Sequence, residues 1–278
     1  MSGPPVSRTP RDLPAGDKWS REELEIIRTV QCHYDARSFD CMSDLVLDEV
    51  HDRTLLGAVE RYFDIGDWKR VLDVGCGASA RNPFFVRRYW GGEAVAVDLS
   101  WHTLQQARAR ISVPFVNGNV LALPFQDNTF DFVISTGVIH HAPFPQDSMR
   151  ELQRVVRPGG GMFVSVYNRR SVYRPAYRYV GAIFRALLRW DLDPLIRWIF
   201  VPAYAAIYAP IIWAAVGRAI RVPYQQAAVD FDDKFLNPYV NFYTLEEVEG
   251  WISDEGLTCL ASGTHMATMM IGFLIKKE

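Results

Sequence analysis

The 278-residue sequence predicts an α/β fold, a seven-stranded, mostly parallel sheet with an antiparallel last strand and a helical insertion after strand five. Three observations carry this. An apolar run, Val71 to Val74, opens directly into Gly75-Cys76-Gly77, the pattern of a buried parallel strand feeding a tight loop and a helix. Strand and helix patterns then alternate through the first 168 residues, which demands parallel strands with right-handed crossovers. Near the C-terminus two strand patterns are joined only by Ser262-Gly263-Thr264-His265-Met266, too short for a crossover, so these two run antiparallel.

Met1 to Lys18 is rich in Pro, Gly and Ser, lacks periodicity and shows no basic-then-apolar signal pattern, so residues 1–18 read as a disordered tail. Ser20-Arg21-Glu22-Glu23 has capping-box spacing, and Leu24, Ile27 and Val30 give the helix it opens one apolar face. A second helix is expected from about Asp48 to Phe63 with Gly66 as its stop, completing the N-terminal helices of 19–65. Arg81 to Trp90 reads as the helix after the glycine loop, ended by Gly91-Gly92, and Glu93 to Asp98 as a second strand with its acid at the carboxyl end. Thr103 to Ile111 is helical, Val113 to Val116 a third strand and Phe130 to Ser135 a fourth. A helix from Gln146 to Val156 ends at Pro158-Gly159-Gly160-Gly161, and Met162 to Tyr167 follows as strand five. Thr244-Leu245-Glu246-Glu247, a second capping box, opens a helix through Ser253; Gly256 ends it, and Leu257 to Ala261 and Ala267 to Ile275 are the last strands. The core therefore comprises residues 19–168 and 223–278, and residues 169–222 are inserted.

Thirty basic against thirty-two acidic side chains give a net charge of −2, which does not indicate a general nucleic-acid-binding surface. Nor is there an aromatic-flanked Asn-Pro-Pro segment of the base-flipping kind. The four cysteines form no C-x-x-C pair and no finger spacing, so neither a disulfide framework nor a metal centre is expected, and a reducing cytoplasm fits best.

Gly75-x-Gly77-x-x-Ala80 followed by Asp98 fits a dinucleotide fingerprint as well as other nucleotide sites. Taken with two further segments, the chain from about Tyr34 onward resembles the class I S-adenosylmethionine-dependent methyltransferases of the small-molecule, ubiquinone/menaquinone-biosynthesis-like type. The segments are Val71 to Gly77, Ala96-Val97-Asp98-Leu99-Ser100, Leu123-Pro124-Phe125-Gln126-Asp127-Asn128-Thr129-Phe130-Asp131, and Arg154-Val155-Val156-Arg157-Pro158-Gly159-Gly160. A nicotinamide dehydrogenase would account for the first two only. The resemblance implies a Rossmann-like sheet and S-adenosylmethionine as cofactor. It also implies site roles. Gly75 and Gly77 allow close backbone approach. Asp73 fixes the loop or meets the ammonium end, Asp98 accepts the ribose hydroxyls, and Leu99 covers one adenine face. Asn119 and Val120 edge the adenine; an Asp is common at Asn119 in the family, so this contact departs from the pattern. Trp101 either stacks on adenine or packs on the surface, and Tyr34 either closes the first helix over the cofactor or packs it to the core. Ser135 belongs to the same set, at the end of strand four.

Transfer from a sulfonium needs alignment, water exclusion and, for a protonated acceptor, a base. Ser135-Thr136-Gly137-Val138-Ile139-His140-His141 occupies the position past strand four, so His140 or His141 is the candidate base, a loop-anchoring role being the alternative. The expected acceptor is a small, largely apolar or lipid-like metabolite. O-methylation is preferred; N- or C-transfer, or a non-catalytic membrane-docked binding module, are the alternatives. Asp230-Phe231-Asp232-Asp233 and Asn237-Pro238-Tyr239 to Tyr243 either orient the acceptor or anchor loops.

The insertion holds nine arginines, no lysine and two acids, Asp191 and Asp193. On a continuous α-helix Arg174, Arg178, Arg185 and Arg189 fall within about 60° of arc, opposite Val180, Ile183 and Leu187. Trp198 to Gly217 then runs twenty residues without a charge. A membrane span is disfavoured because the last strands must rejoin the sheet, and Pro202 and Pro210 should break the run into short pieces. A lid over the acceptor pocket, a membrane-surface contact and a homodimer interface all remain open.

Overall fold

The computed structural model describes residues 19–36, 59–216, 219, 224–265 and 268–278. The tail 1–18 and most of the helix expected at 48–63 lie outside them; the described end of that helix is a 3₁₀ turn, Val59–Arg61. The first helix, α1 (Arg21–Ala36), carries the expected capping box, with the Glu23 backbone N–H donating to Ser20 Oγ and the Ser20 N–H donating to the Glu23 carboxylate.

Seven strands form one sheet: β1 (Arg70–Val74), β2 (Glu93–Asp98), β3 (Phe115–Asn117), β4 (Phe130–Thr136), β5 (Val156–Tyr167), β6 (Thr258–His265) and β7 (Met270–Lys276). Their order is β3-β2-β1-β4-β5-β7-β6, and β7 runs antiparallel to both neighbours. The strands read as near-continuous apolar runs because both faces are covered. Helix α2 (Arg81–Phe85) continues through a π turn, Val86–Trp90, and stops at Gly91, which takes the left-handed conformation. α3 (Trp101–Arg108) and α4 (Pro145–Val155) complete the first crossovers. The order reverses between β1 and β4, so the loops leaving these two strands diverge and open a crevice at their carboxyl ends.

Strand five begins at Val156 rather than at Met162, and the Pro158–Gly161 run lies inside it. The glycines there serve close packing more than helix termination. A Cβ on Gly161 would stand 2.3 Å from Phe63 Cζ and 2.7 Å from the Ile275 carbonyl, and one on Gly160 2.5 Å from the Asp131 carbonyl.

The insertion folds as helices. Tyr173–Pro175, a π turn Ala176–Val180, and α5 (Gly181–Arg189) run on from one another; so do Asp193–Leu195, a π turn Ile196–Phe200, and α6 (Val201–Val216). α7 (Tyr224–Phe231), extended by the π turn Asp232–Leu236, packs against both, and Phe184, Ile196, Val201, Phe231 and Leu236 form their shared core. Two expectations fail here. The arginines do not form an outer stripe with the aliphatic residues inside. Val180 and Ile183 are exposed, whereas Arg185 turns inward, donating to the Phe235 carbonyl at 2.8 Å with its guanidinium 4.3 Å from the Tyr177 ring centroid. A helical wheel at 100° per residue assumes an unbroken α register, and the π turn at Ala176–Val180 rotates everything after it. Nor do the prolines break the second helix: α6 is continuous with Pro210 inside it. In the π register the donor to the Arg197 carbonyl would be residue 202, a proline, and the Tyr224 hydroxyl donates to that carbonyl instead, at 3.3 Å. Among the described residues no helix is long and apolar enough to cross a membrane. The capping box of α8 (Leu245–Asp254) forms as expected, on Thr244 and Glu247.

Candidate functional site

The crevice is built on the loop after β1. Gly75 and Gly77 have φ of 75° and 63°, a region that side chains rarely adopt. A Cβ on Gly75 would stand 2.2 Å from Val138 Cγ2, so the loop after β4 sits directly on the glycine loop. Ala80, the last position of Gly75-x-Gly77-x-x-Ala80, also has a positive φ, 46°.

Asp98 stands at the end of β2 beside this loop. Its Oδ2 accepts from the Gly77 N–H at 3.0 Å and its Oδ1 from the Ser100 N–H at 2.9 Å. Each carboxylate oxygen keeps a second lone pair for an outside donor. Burial pushes its carboxyl up to about 6, against which the Ser100 and Gly77 amides pull down. Asp73, inside β1, is fully buried. Asn82 Nδ2 donates to its Oδ1 at 2.9 Å, its Oδ2 has no hydrogen-bond partner among the described residues, and burial raises its pKa to about 7. An unpaired buried carboxylate oxygen and a half-paired acid beside an open glycine loop suit the cationic and hydroxyl ends of S-adenosylmethionine, so the residues present fit that group.

Asn119, Val120, Leu99 and Trp101, expected around the adenine, are held in different ways. Asn119 Oδ1 accepts the Leu121 N–H at 2.9 Å, which orients the amide and leaves its NH2 as the group on offer. Such a donor meets a ring nitrogen, whereas the Asp common in the family would meet the exocyclic amine. Val120 packs its side chain into the main core, and Leu99 is half-buried beside Asp98 with its carbonyl held by Asn117 Nδ2 at 2.9 Å. Trp101 packs on the cluster of Cys76, Ala80 and Leu104, with the Arg108 guanidinium 5.7 Å from its ring centroid. Ser135 is buried in β4, its hydroxyl without a partner among the described residues.

Helix α1 closes the crevice from above. Gln31 Nε2 donates to the Leu99 carbonyl at 3.4 Å and Ser100 Oγ to Asp35 Oδ1 at 2.6 Å, tying the helix to the residues just after β2. Its Tyr34 points further along. The hydroxyl donates to Asp233 Oδ1 at 3.4 Å and accepts from Asn237 Nδ2 at 3.1 Å, and the ring meets His141 edge-on at 5.8 Å. Tyr34 thus joins a cluster past the ends of β4 and β5 rather than the glycine loop itself.

That cluster holds the titrating groups. Tyr167, the last residue of β5, donates through its hydroxyl to Asp233 Oδ2 at 3.2 Å. His140 packs its ring 4.0 Å from Tyr167, is wholly buried, and has neither ring nitrogen paired among the described residues; burial holds it well below the usual histidine range. His141 Nδ1 lies 2.9 Å from the Tyr239 carbonyl. A carbonyl only accepts, so Nδ1 carries the hydrogen and Nε2 keeps its lone pair. Burial lowers the His141 pKa, partly countered by Asp233 and by the Tyr239 carbonyl.

Of the acids flagged in the sequence, Asp232 pairs with Arg197 at 2.7 Å, and Asp230 with Lys234 at 2.9 Å and with the Tyr204 hydroxyl, so both anchor the insertion. Asp233 alone of the three reaches the cluster. Asn237 lies in the segment expected to orient the acceptor or anchor a loop, whereas Tyr167 carried no sequence signal for this position beyond closing a strand.

The other two recognised segments lie at the opposite, amino end of β4. Asp131 Oδ2 accepts the Lys69 and Arg70 N–H groups at 2.8 and 2.7 Å while Arg157 Nε donates to Oδ1 at 2.6 Å. Arg154 donates to the Leu123 and Phe125 carbonyls at 3.0 and 2.8 Å and pairs with Asp127 and Glu151. They tie the sheet and its loops together.

Comparison with known proteins agrees with this geometry. The family described as "Methyltransferase domain" matches residues 72–164. The chain is 32% identical over 137 residues to the ubiquinone/menaquinone biosynthesis C-methyltransferase UbiE of Ruegeria sp., covering 46% of this chain and 54% of that protein. It is 32% identical over 154 residues to the demethylmenaquinone methyltransferase of Mycobacterium tuberculosis, covering 55% and 64%. The chain thus spans a little over half the length of these curated relatives. A solved chain from the complex of the Trm112 methyltransferase activator with a methyltransferase of Haloferax volcanii shares the fold, with a TM-score of 0.56 at 16% identity over 89% of this chain and 96% of that one. The glycine loop and the acid ending β2 both lie inside the matched residues 72–164, and sequence similarity and fold together support a class I S-adenosylmethionine-dependent methyltransferase domain over that stretch.

Proposed function

We propose that the chain methylates a small, largely apolar acceptor, with His141 as general base and oxygen as the receiving atom. The observation supporting this most strongly is the orientation of His141. With Nδ1–H held by the Tyr239 carbonyl, Nε2 of the neutral ring offers a fixed lone pair next to Tyr34 and Asp233.

When bound, S-adenosylmethionine supplies an activated methyl group for in-line displacement. The chain's own residues do the rest. Asp98 and the glycine loop hold the nucleoside end, and Asp73 meets the ammonium. His141 Nε2 takes the proton from an acceptor hydroxyl as that oxygen becomes nucleophilic. The resulting imidazolium is stabilised by Asp233, whose charge already favours the protonated ring. His140, sealed against Tyr167, shapes the wall and excludes water. The apolar rings of Tyr167, Tyr173 and Phe242, packed within 4.8 to 5.8 Å of one another, favour an apolar acceptor.

Carbon is the second reading, favoured by the name of the Ruegeria relative, a C-methyltransferase. A base that ionises a phenol activates its ring carbon as well as its oxygen, so His141 serves either outcome. The test is incubation with methyl-labelled cofactor and fractionated cell extract, then magnetic resonance of the labelled product. An O-methyl or ring C-methyl signal in an organic-soluble compound is expected and distinguishes the two; label confined to nucleic acid or protein would refute the reading.

A further inference from the structure

We propose that the helical hairpin spanning Arg178 to Ile199 docks on an anionic lipid surface. Eleven of the fourteen large apolar side chains exposed among the described residues belong to the insertion. Several of the most exposed flank the turn between its two helical segments. Trp190 and Trp198 are 71% and 82% exposed, Ile183 and Ile199 60% and 54%. A tight connection brings them together: the Trp190 N–H donates to the Leu187 carbonyl at 3.1 Å, the Leu192 N–H to the same carbonyl at 3.0 Å, and the Leu195 N–H to the Leu192 carbonyl at 3.1 Å. The end of α5 and the start of the next helix therefore present one continuous tip.

The inner face of this hairpin is already used. Phe184 packs on Phe200 and Phe231, and a Cβ on Gly181 would lie 3.1 Å from the Phe235 carbonyl. Rotation cannot bury the tryptophans without exposing that core.

Charge selects the occupant. Arg178 and Arg189 are exposed and make no ion pair among the described residues, whereas Arg169, Arg170 and Arg197 are all paired with acids. Of the two acids in the insertion, Asp193 is held by Arg197 at 3.3 Å, and the exposed Asp191 is outnumbered by Arg178 and Arg189, which leaves the face net basic. Two copies of a basic face repel each other, while a surface of anionic headgroups attracts it. Tryptophan among arginines is the composition that settles at the headgroup level, rings toward the acyl boundary and guanidinium groups on phosphate. On the apolar-acceptor reading, the arrangement also delivers substrate, because Tyr173 of the same helical segment packs 4.8 Å from Tyr167 in the wall of the site.

The test is co-sedimentation of the full chain, without cofactor or acceptor, with vesicles of phosphatidylcholine alone and of phosphatidylcholine mixed with phosphatidylglycerol. Failure here would leave the methyl-transfer reading untouched. Binding is expected only to the mixed vesicles, to fall at high salt, and to weaken about tenfold or more in the double variants Trp190→Ala with Trp198→Ala and Arg178→Glu with Arg189→Glu. Their side chains are exposed, and unchanged melting curves verify that the variants fold. No binding to the mixed vesicles, or equal binding by wild type and both folded variants, would overturn the proposal. So would a solution dimer that these substitutions dissolve, in a chain that ignores vesicles.

Discussion

Asp98→Asn is the perturbation that most sharply separates a cofactor role from a structural one. The native carboxylate gives one oxygen to the Gly77 N–H and one to the Ser100 N–H, at 3.0 and 2.9 Å, and has two lone pairs left for two ribose hydroxyls. Asparagine keeps one acceptor and turns an NH2 toward the other amide, so one ribose contact and the negative charge are lost. A hydrogen bond to a charged group contributes about 1.5–3 kcal/mol. Cofactor affinity should therefore fall roughly 10- to 150-fold at pH 8, read by isothermal titration calorimetry. The pH profile adds a second reading. The raised pKa of about 6 means that protonation of Asp98 mimics the variant, so wild-type affinity should decline below that pH. A second step near pH 7, from Asp73, remains in the variant but moves lower, because the Asp98 charge helps to raise it, so Asp98 is read from the loss of its own step near 6. Affinity within about threefold of wild type, with an unchanged profile below pH 6 and an unchanged melting temperature, would refute the reasoning.

Gly75→Ala places a Cβ 2.2 Å from Val138 at a φ of 75°, so cofactor affinity should fall more than about tenfold in the same titration, with partial recovery in Gly75→Ala with Val138→Ala. His141→Gln keeps a donor for the Tyr239 carbonyl but removes the base: turnover of the identified acceptor should drop about 10²–10⁴-fold while cofactor affinity, measured separately, stays within about threefold. Asp131→Asn removes a carboxylate that accepts three hydrogen bonds and should cost about 2 kcal/mol near neutral pH, a melting shift of roughly 4–8 °C by calorimetry. Because the folded state lowers the Asp131 pKa, its contribution is present above the unfolded value of 3.8 and is lost as pH falls through the folded one, so the two melting curves should converge in acid.

What the sequence discloses is what lies close together along it. The glycine loop, the acid four residues past Ala94 and both capping boxes each depend on a few neighbouring residues, and each forms where its spacing predicts. Leu123 to Asp131 and Arg154 to Gly160 are legible as family marks but not as to purpose; only the fold shows Asp131 and Arg154 tying loops at the amino end of β4. The acceptor cluster is hidden for a different reason: Tyr34 and Asp233 meet across 199 residues, and Tyr167 and Asp233 across 66. The basic stripe fails through backbone geometry. One π turn before α5 rotates the helix, puts Arg185 inside and brings Ile183 out, a change no wheel at a fixed angle anticipates.

The central claim is that one crevice holds the methyl donor at Asp98 and opens at its sulfur end onto His141. A structure of the full chain with S-adenosylhomocysteine tests it most directly. The ribose hydroxyls should lie on Asp98, the ammonium toward Asp73, and the sulfur on the side of His141 Nε2. A ribose bound to any other group, or a sulfur facing away from His141 across β4, would contradict it.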